Sequence, residues 1–300
     1  MHRLAPIAVL SALLLCACGV QSTRPDARPA TPATALEADV PAANDNLNAV
    51  AWIQTSTERD LIYLQAYRNA ASHLDRAIAD PRWEALPAGE RKSPVADPAR
   101  TAIIVDIDET VLDNGPYQAR LVIDGTTYDK ATWAEWCREA KAEAVPGALE
   151  FTRLAASKGV TVFYLSNRAH ELNDVTLANL ESRGFPLAAG EQVFLGLGLE
   201  VPGCVPKNHD KGCRRELVSR NYRVLMQFGD QLGDFVNVAS NTPGDRRQIV
   251  APYLDWVGER WFVLPNPTYG SWEPALFGND WSLPPAEQRR AKRDALDTGR

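Results

Sequence analysis

Residues 101–113 read TAIIVDIDETVLD, a β-branched apolar run that breaks into two aspartates one residue apart, Asp106 and Asp108, followed by Thr110. Near-continuous apolar runs of this length mark strands buried on both faces of a parallel sheet, and open α/β sheets carry their sites just beyond the carboxyl ends of such strands. Asp106 and Asp108 therefore stand where chemistry is usually done. Two carboxylates this close do not both stay ionised cheaply unless a cation lies between them, or one keeps a proton and serves as an acid. Metal-assisted acid and base chemistry is the first expectation.

Strand and helix patterns alternate after this run. Strands are predicted at 101–107, 160–166, 192–197, 223–229 and 260–264, and helices at 147–158, 171–184, 211–221 and near 244–257. The pattern describes an α/β fold with a mostly parallel sheet and flanking helices. Upstream, Leu47, Val50, Ile53, Thr57, Leu61, Leu64, Tyr67, Ala71, Leu74 and Ile78 recur every three or four residues, which predicts one or two packing helices over 45–80, ended by Pro81. Segment 115–145, with Tyr117, Tyr128, Trp133 and Trp136, is too long for an ordinary connection and predicts a small helical cap. The domain is expected to run from 45 to 285, with a charged tail over 286–300.

The composition, 45% hydrophobic and 23% charged over 300 residues, is ordinary for a globular chain. A net charge of -6 and a pI near 5.4 argue against a nucleic acid polymer as partner, so an anionic substrate must be met by local positive charge. At the N-terminus, His2 and Arg3 precede a mostly apolar run over 4–18, shorter than the ~20 residues needed to cross a bilayer. Leu15-Cys16-Ala17-Cys18 resembles a bacterial lipobox, with Cys18 favoured because it follows a small residue. Residues 1–17 then read as a lipoprotein signal peptide and Cys18 as the lipidated N-terminus. In that resemblance Gly19 favours an outer-membrane lipoprotein over retention in the inner membrane. Residues 18–44, rich in Pro, Ala and Thr, read as a disordered tether. Of five cysteines, Cys137, Cys204 and Cys213 survive this processing; outside the cytoplasm Cys204 and Cys213 can close a short loop, and spacing alone leaves bridged and free thiols open.

Several predicted strand ends carry polar groups. The second ends at Ser166-Asn167-Arg168, the fourth at Gly229-Asp230 with Asp234 close behind, and Lys211 opens the helix between them. DIDETVLDNGPY at 106–117, SNR at 166–168, Lys211 within KGCRR, and GDQLGDF at 229–235 resemble the four motifs of the haloacid dehalogenase (HAD) superfamily. With the lipobox and LPNPTYGSWE at 264–273, the chain is similar over roughly 45–280 to class C acid phosphatases, outer-membrane lipoproteins that include 5'-nucleotidases.

That resemblance implies a HAD-like Rossmannoid sheet and a Mg²⁺-dependent phosphomonoesterase. It implies Asp106 as nucleophile, forming an aspartyl-phosphate, Asp108 as general acid and then base, and Ser166 and Lys211 as holders of the phosphate oxygens. Mg²⁺ would be held by Asp106, the Asp108 carbonyl and Asp230, with Asp234 completing the shell. Asn167 and Arg168 are expected at the substrate, and Trp133 and Tyr269 against a nucleobase or other apolar leaving group. Four carboxylates outweigh Mg²⁺ and Lys211 by one charge, so a proton on Asp108 and activity at mildly acidic pH are expected. The substrate is expected to be a nucleoside monophosphate. A phosphotransferase, or a non-catalytic lipoprotein capturing nucleotide or haem, is the alternative, although His73, His170 and His209 form no ligand motif. A homodimer stays open. A calcium-binding EF-hand fails because Val111 and Tyr117 stand where that loop needs Gly and Glu.

Overall fold

The computed structural model describes residues 43–91, 100–205 and 209–299, so the signal peptide, Cys18 and nearly all of the tether lie outside the described residues. Helices α1 (Leu47–Thr55) and α2 (Thr57–Ala79) come first. Then follow β1 (Thr101–Val105), β2 (Leu112–Asp113), α3 (Gly115–Ile123), α4 (Lys130–Glu139), β3 (Glu143–Ala144), α5 (Ala148–Ser157), β4 (Thr161–Leu165) and α6 (Asn173–Arg183). The chain continues through β5 (Phe194–Leu195), α7 (Gly212–Ser219), β6 (Arg223–Gly229), α8 (Pro243–Val250), β7 (Trp261–Val263) and α9 (Pro285–Asp294).

Five strands pair in the order β5-β4-β1-β6-β7, and every pairing is parallel. Each predicted strand is present. β1 is buried along its whole length, which its all-apolar centre allows because helices cover both faces of a parallel sheet. It stops at Val105 rather than 107: Asp106 N still donates to Phe228 O at 3.0 Å, but the chain then turns back on itself. Ile107 O accepts from the amides of Thr110, Val111 and Leu112 in that turn, and Glu109 takes a left-handed φ of 56°.

The insertion over 115–145 contains α3 and α4, entered and left through the antiparallel ribbon of β2 and β3 (Leu112↔Ala144, Asp113↔Glu143). Each of these two strands is one apolar residue beside one acidic one, too little to stand out as an apolar run. Arg59 of α2 reaches this ribbon, pairing with Asp113 at 2.8 Å.

Two details of the leader and the C-terminus depart from expectation. The buried face of α2 is Tyr63, Tyr67, Ala70, Leu74 and Ala77, whereas Leu61 is 56% exposed. The stripe is thus rotated at its start, because the tyrosines bring hydroxyls that find carbonyl partners while their rings stay buried. The tail beyond 285 is helical through Asp294, held where Lys292 pairs with Glu273 and Arg289 with Asp45. Cys204 and Cys213 are joined by a disulfide with Cα atoms 5.6 Å apart, and Cys137 is a buried thiol that burial pushes up to about 12.

Candidate active site

β1 lies between β4 and β6, so the residues just past the ends of three neighbouring strands meet at one edge: Asp106, Ser166 and Asp230. This is where an open parallel sheet leaves a crevice. Carboxylate oxygens of Asp106, Asp230 and Asp234 come within 4.8 Å of one another. Lys211, the residue before α7, sends its Nζ between Asp106 and Asp234, with Asp234 Oδ1 at 2.7 Å, and donates to Leu165 O at 2.9 Å.

The approach of Asp234 depends on Gly229. A Cβ there would lie 2.3 Å from the Asp234 side chain, so only glycine admits this contact. Asp234 Oδ2 in turn accepts from Gln231 N at 2.9 Å. Asp230 accepts from Asn266 at 2.8 Å and Gln231 at 2.7 Å.

Three carboxylates face one lysine, and their environment records the excess negative charge. Burial pushes the Asp106 carboxyl well above its usual range despite Lys211, and burial with Asp234 nearby pushes Asp230 to about 7. An all-oxygen, net-negative set of this kind fits a hard divalent cation. The Asp108 side chain lies outside that set and is turned to other partners.

Arg168, expected at the substrate, is 2% exposed and grips Asp108 instead. Its Nη2 lies 2.7 Å and its Nε 3.0 Å from Asp108 Oδ1, and Asn114 Nδ2 donates to the same oxygen at 2.8 Å. Asn114 is itself fixed by Trp136 Nε1 at 2.7 Å, and Trp133 lies 5.5 Å from the Arg168 guanidinium. Arg168 adds beside Asp108 a positive charge that the count from sequence left out.

Ser166 is fully buried; its Oγ accepts from Arg168 N at 3.0 Å, which leaves the hydroxyl proton to donate. Asn167 points its Oδ1 at Arg214, 2.6 Å away, and Arg214 also donates to Ser166 O at 2.6 Å. Trp133 is half-buried in the insertion, edge-on to Tyr117 at 5.1 Å, and Tyr269 is half-buried with its carbonyl 3.3 Å from Gln231 Nε2. Trp133 thus stands beside Asp108's partner Arg168, and the Tyr269 backbone beside Asp230's partner Gln231.

Sequence reasoning missed the supports of the loop after β1. Tyr63 donates to Glu109 O and Tyr67 to Thr110 O, both at 2.6 Å. Glu109 is itself buried, accepts from Asn114 N at 3.0 Å, and has its carboxyl pushed well up by burial with Asp108 beside it.

Comparison with known proteins agrees with this geometry. Over 84% of its length the chain is 35% identical to the class C acid phosphatase from Bacillus anthracis, covering 97% of that chain. The TM-score is 0.71, and 0.72 for the same enzyme with tungstate bound. A stem 31 kDa glycoprotein of Glycine max is 31% identical over 55% of this chain, and acid phosphatase 1 of Solanum lycopersicum is 26% identical over 61%. The chain spans 58% and 64% of those two plant proteins. Residues 27–272 match the family described as HAD superfamily, subfamily IIIB (Acid phosphatase). With that match over well more than half of its length and a shared parallel sheet, this chain belongs to the subfamily IIIB acid phosphatases of the HAD superfamily.

Proposed function

We propose that the chain is a Mg²⁺-dependent phosphatase that hydrolyses phosphomonoesters, with nucleoside monophosphates as its preferred class, through a phosphorylated Asp106. The observation that carries this reading is the gathering of Asp106, Asp230 and Asp234 around Lys211, with Asp108 held beside them by Arg168. The tungstate-bound relative supports an oxyanion site here.

An Asp106 oxygen attacks phosphorus as the ester P–O bond breaks, and Asp108 gives its proton to the departing alkoxide. Asp108, now a carboxylate, takes a proton from water as that water attacks phosphorus, and the Asp106–phosphorus bond breaks to release phosphate. Lys211 and the Ser166 hydroxyl steady the phosphoryl oxygens, where charge is spread in transfer. Mg²⁺, held by Asp106, the Asp108 carbonyl, Asp230 and Asp234, would neutralise part of that charge. Lys211 favours the ionised form of Asp106 that attack requires, against the burial that opposes it.

The test is a phosphate-release screen over nucleotides, sugar phosphates and aryl phosphates at pH 5 and 7, with and without Mg²⁺, run beside Trp133→Ala. Nucleoside monophosphates should be preferred, and the variant should raise KM for them far more than for a small ester. Because Asp230 must lose its proton to take a cation and holds it up to about pH 7, half-saturation should need more Mg²⁺ at pH 5 than at pH 7. Release that ignores a chelator would sink the metal assignment, and equal effects of Trp133→Ala on both esters would sink the stacking one.

We further propose that Cys18 carries a lipid anchor and that the domain works at the outer membrane on the tether over 18–44, where phosphate removal would free nucleosides for uptake. The basis is the sequence alone: the apolar run, the small residue before Cys18 and Gly19 after it. The full chain should partition into the detergent phase and Cys18→Ser should not. Equal partitioning would refute the anchor.

A further inference from the structure

We infer that the ion pair of Glu90 with the buried Arg215 positions the loop bearing Asp230 and Asp234, and so sets how tightly the site takes its cation. The inference rests on the Mg²⁺ reading above. Arg215 lies one helical turn beyond Lys211, whose carbonyl accepts its amide at 3.0 Å, and is fully buried. It does not touch a carboxylate of the cluster. Its Nη1 instead donates to two backbone carbonyls, Gly233 O at 2.7 Å and Asp234 O at 3.1 Å.

The other edge of the guanidinium is occupied by Glu90, from a short turn at 88–90. Arg215 Nη2 meets Glu90 Oε1 at 2.7 Å and Nε meets Oε2, a two-point grip that fixes the plane of the fork. Glu90 Oε1 also accepts from Asn237 N at 3.1 Å. The pair therefore holds the loop at three backbone points, two at or just before Asp234 and one just after it.

That hold matters because the Asp234 side chain occupies the space beside Gly229 that a Cβ would take, within the cluster itself. A loop displacement of a few tenths of an ångström moves a carboxylate of the cluster directly. Groups that orient ligands from behind typically change metal affinity by ~10–100-fold when altered. Simple fold stabilisation by a buried pair is the competing account, and the two differ in what they do to the cation.

Arg215→Lys keeps the charge but cannot bridge a carboxylate and two carbonyls at once; Glu90→Gln keeps the shape and loses the charge. Mg²⁺ binding to the full chain would be measured by titration calorimetry without substrate, alongside thermal melting and steady-state kinetics. In folded variants the Kd for Mg²⁺ should rise ~10-fold or more, with kcat at saturating Mg²⁺ within about threefold of the wild type and KM unchanged. A lowered Tm with an unmoved Kd would overturn the inference. A wild-type chain that binds no Mg²⁺ would overturn the metal reading and this one with it. As a check that needs no variant to fold, saturating Mg²⁺ should slow hydrogen exchange across 231–237 in the wild type, the Asn237 amide included; unchanged exchange there would also overturn it.

Discussion

Asp106→Asn should lower phosphate release on the order of 10⁴-fold or more while leaving the protein folded. The amide cannot attack phosphorus, and no neighbouring group is placed to substitute for it: Asp108 is pinned by Arg168 and Asn114, and Asp234 by Lys211 and the Gln231 amide. The fold should tolerate the change because the substitution removes a buried negative charge from a cluster with too many. Lys211 retains Asp234 at 2.7 Å and Leu165 O at 2.9 Å. Melting at pH 7 should therefore stay within about 3 °C of the wild type. Near-normal hydrolysis by the variant would refute Asp106 as nucleophile, and a chain that fails to fold would refute the charge argument.

Arg168→Gln should produce the second large loss, about 10²–10⁴-fold on nucleotide esters, the range that a positioned acid and base contributes. With the two-nitrogen grip gone, Asp108 keeps Asn114 as its main anchor and loses its aim. An aryl phosphate separates aim from general damage, because its leaving phenolate needs no proton. Rapid mixing with such an ester should show a burst of about one phenolate per site and then slow turnover, since the first step is spared and the second still needs a base. Equal losses on both ester types with no burst would mean that Arg168 serves only the fold.

The sheet was legible because most of its strand positions are buried and read as largely apolar runs; the acidic cluster was legible because three of its members fall in two short motifs. Arg168 shows where that legibility ends. SNR puts the residue beside the site, but whether its guanidinium faces a ligand or Asp108 depends on a partner 60 positions away. Tyr63 was hidden for a related reason. Hydropathy ranks Leu61 and Leu64 above a tyrosine, and the carbonyl that the Tyr63 hydroxyl meets lies 46 positions on. The helix over Pro285–Asp294 carries so much charge that its pattern reads as a tail; what orders it is pairing with Asp45 and Glu273, which periodicity does not report.

The leader's attachment also sets an order of assembly. Beyond its hold on the loop after β1, the chain that follows α2 is fixed to β6: Trp83 donates to Leu225 O and Gln227 to Ala85 O, each across 142 positions, and Arg223 reaches back to Ala77 O across 146. Strand β1 likewise gains its second neighbour only when β6 is present. The part of the leader that meets β6 must therefore stay uncovered until more than two thirds of the chain has been made, although α1 and α2 can already pack on α3 and α5. No early portion of this protein can assemble a working centre by itself, so activity arrives all at once and late.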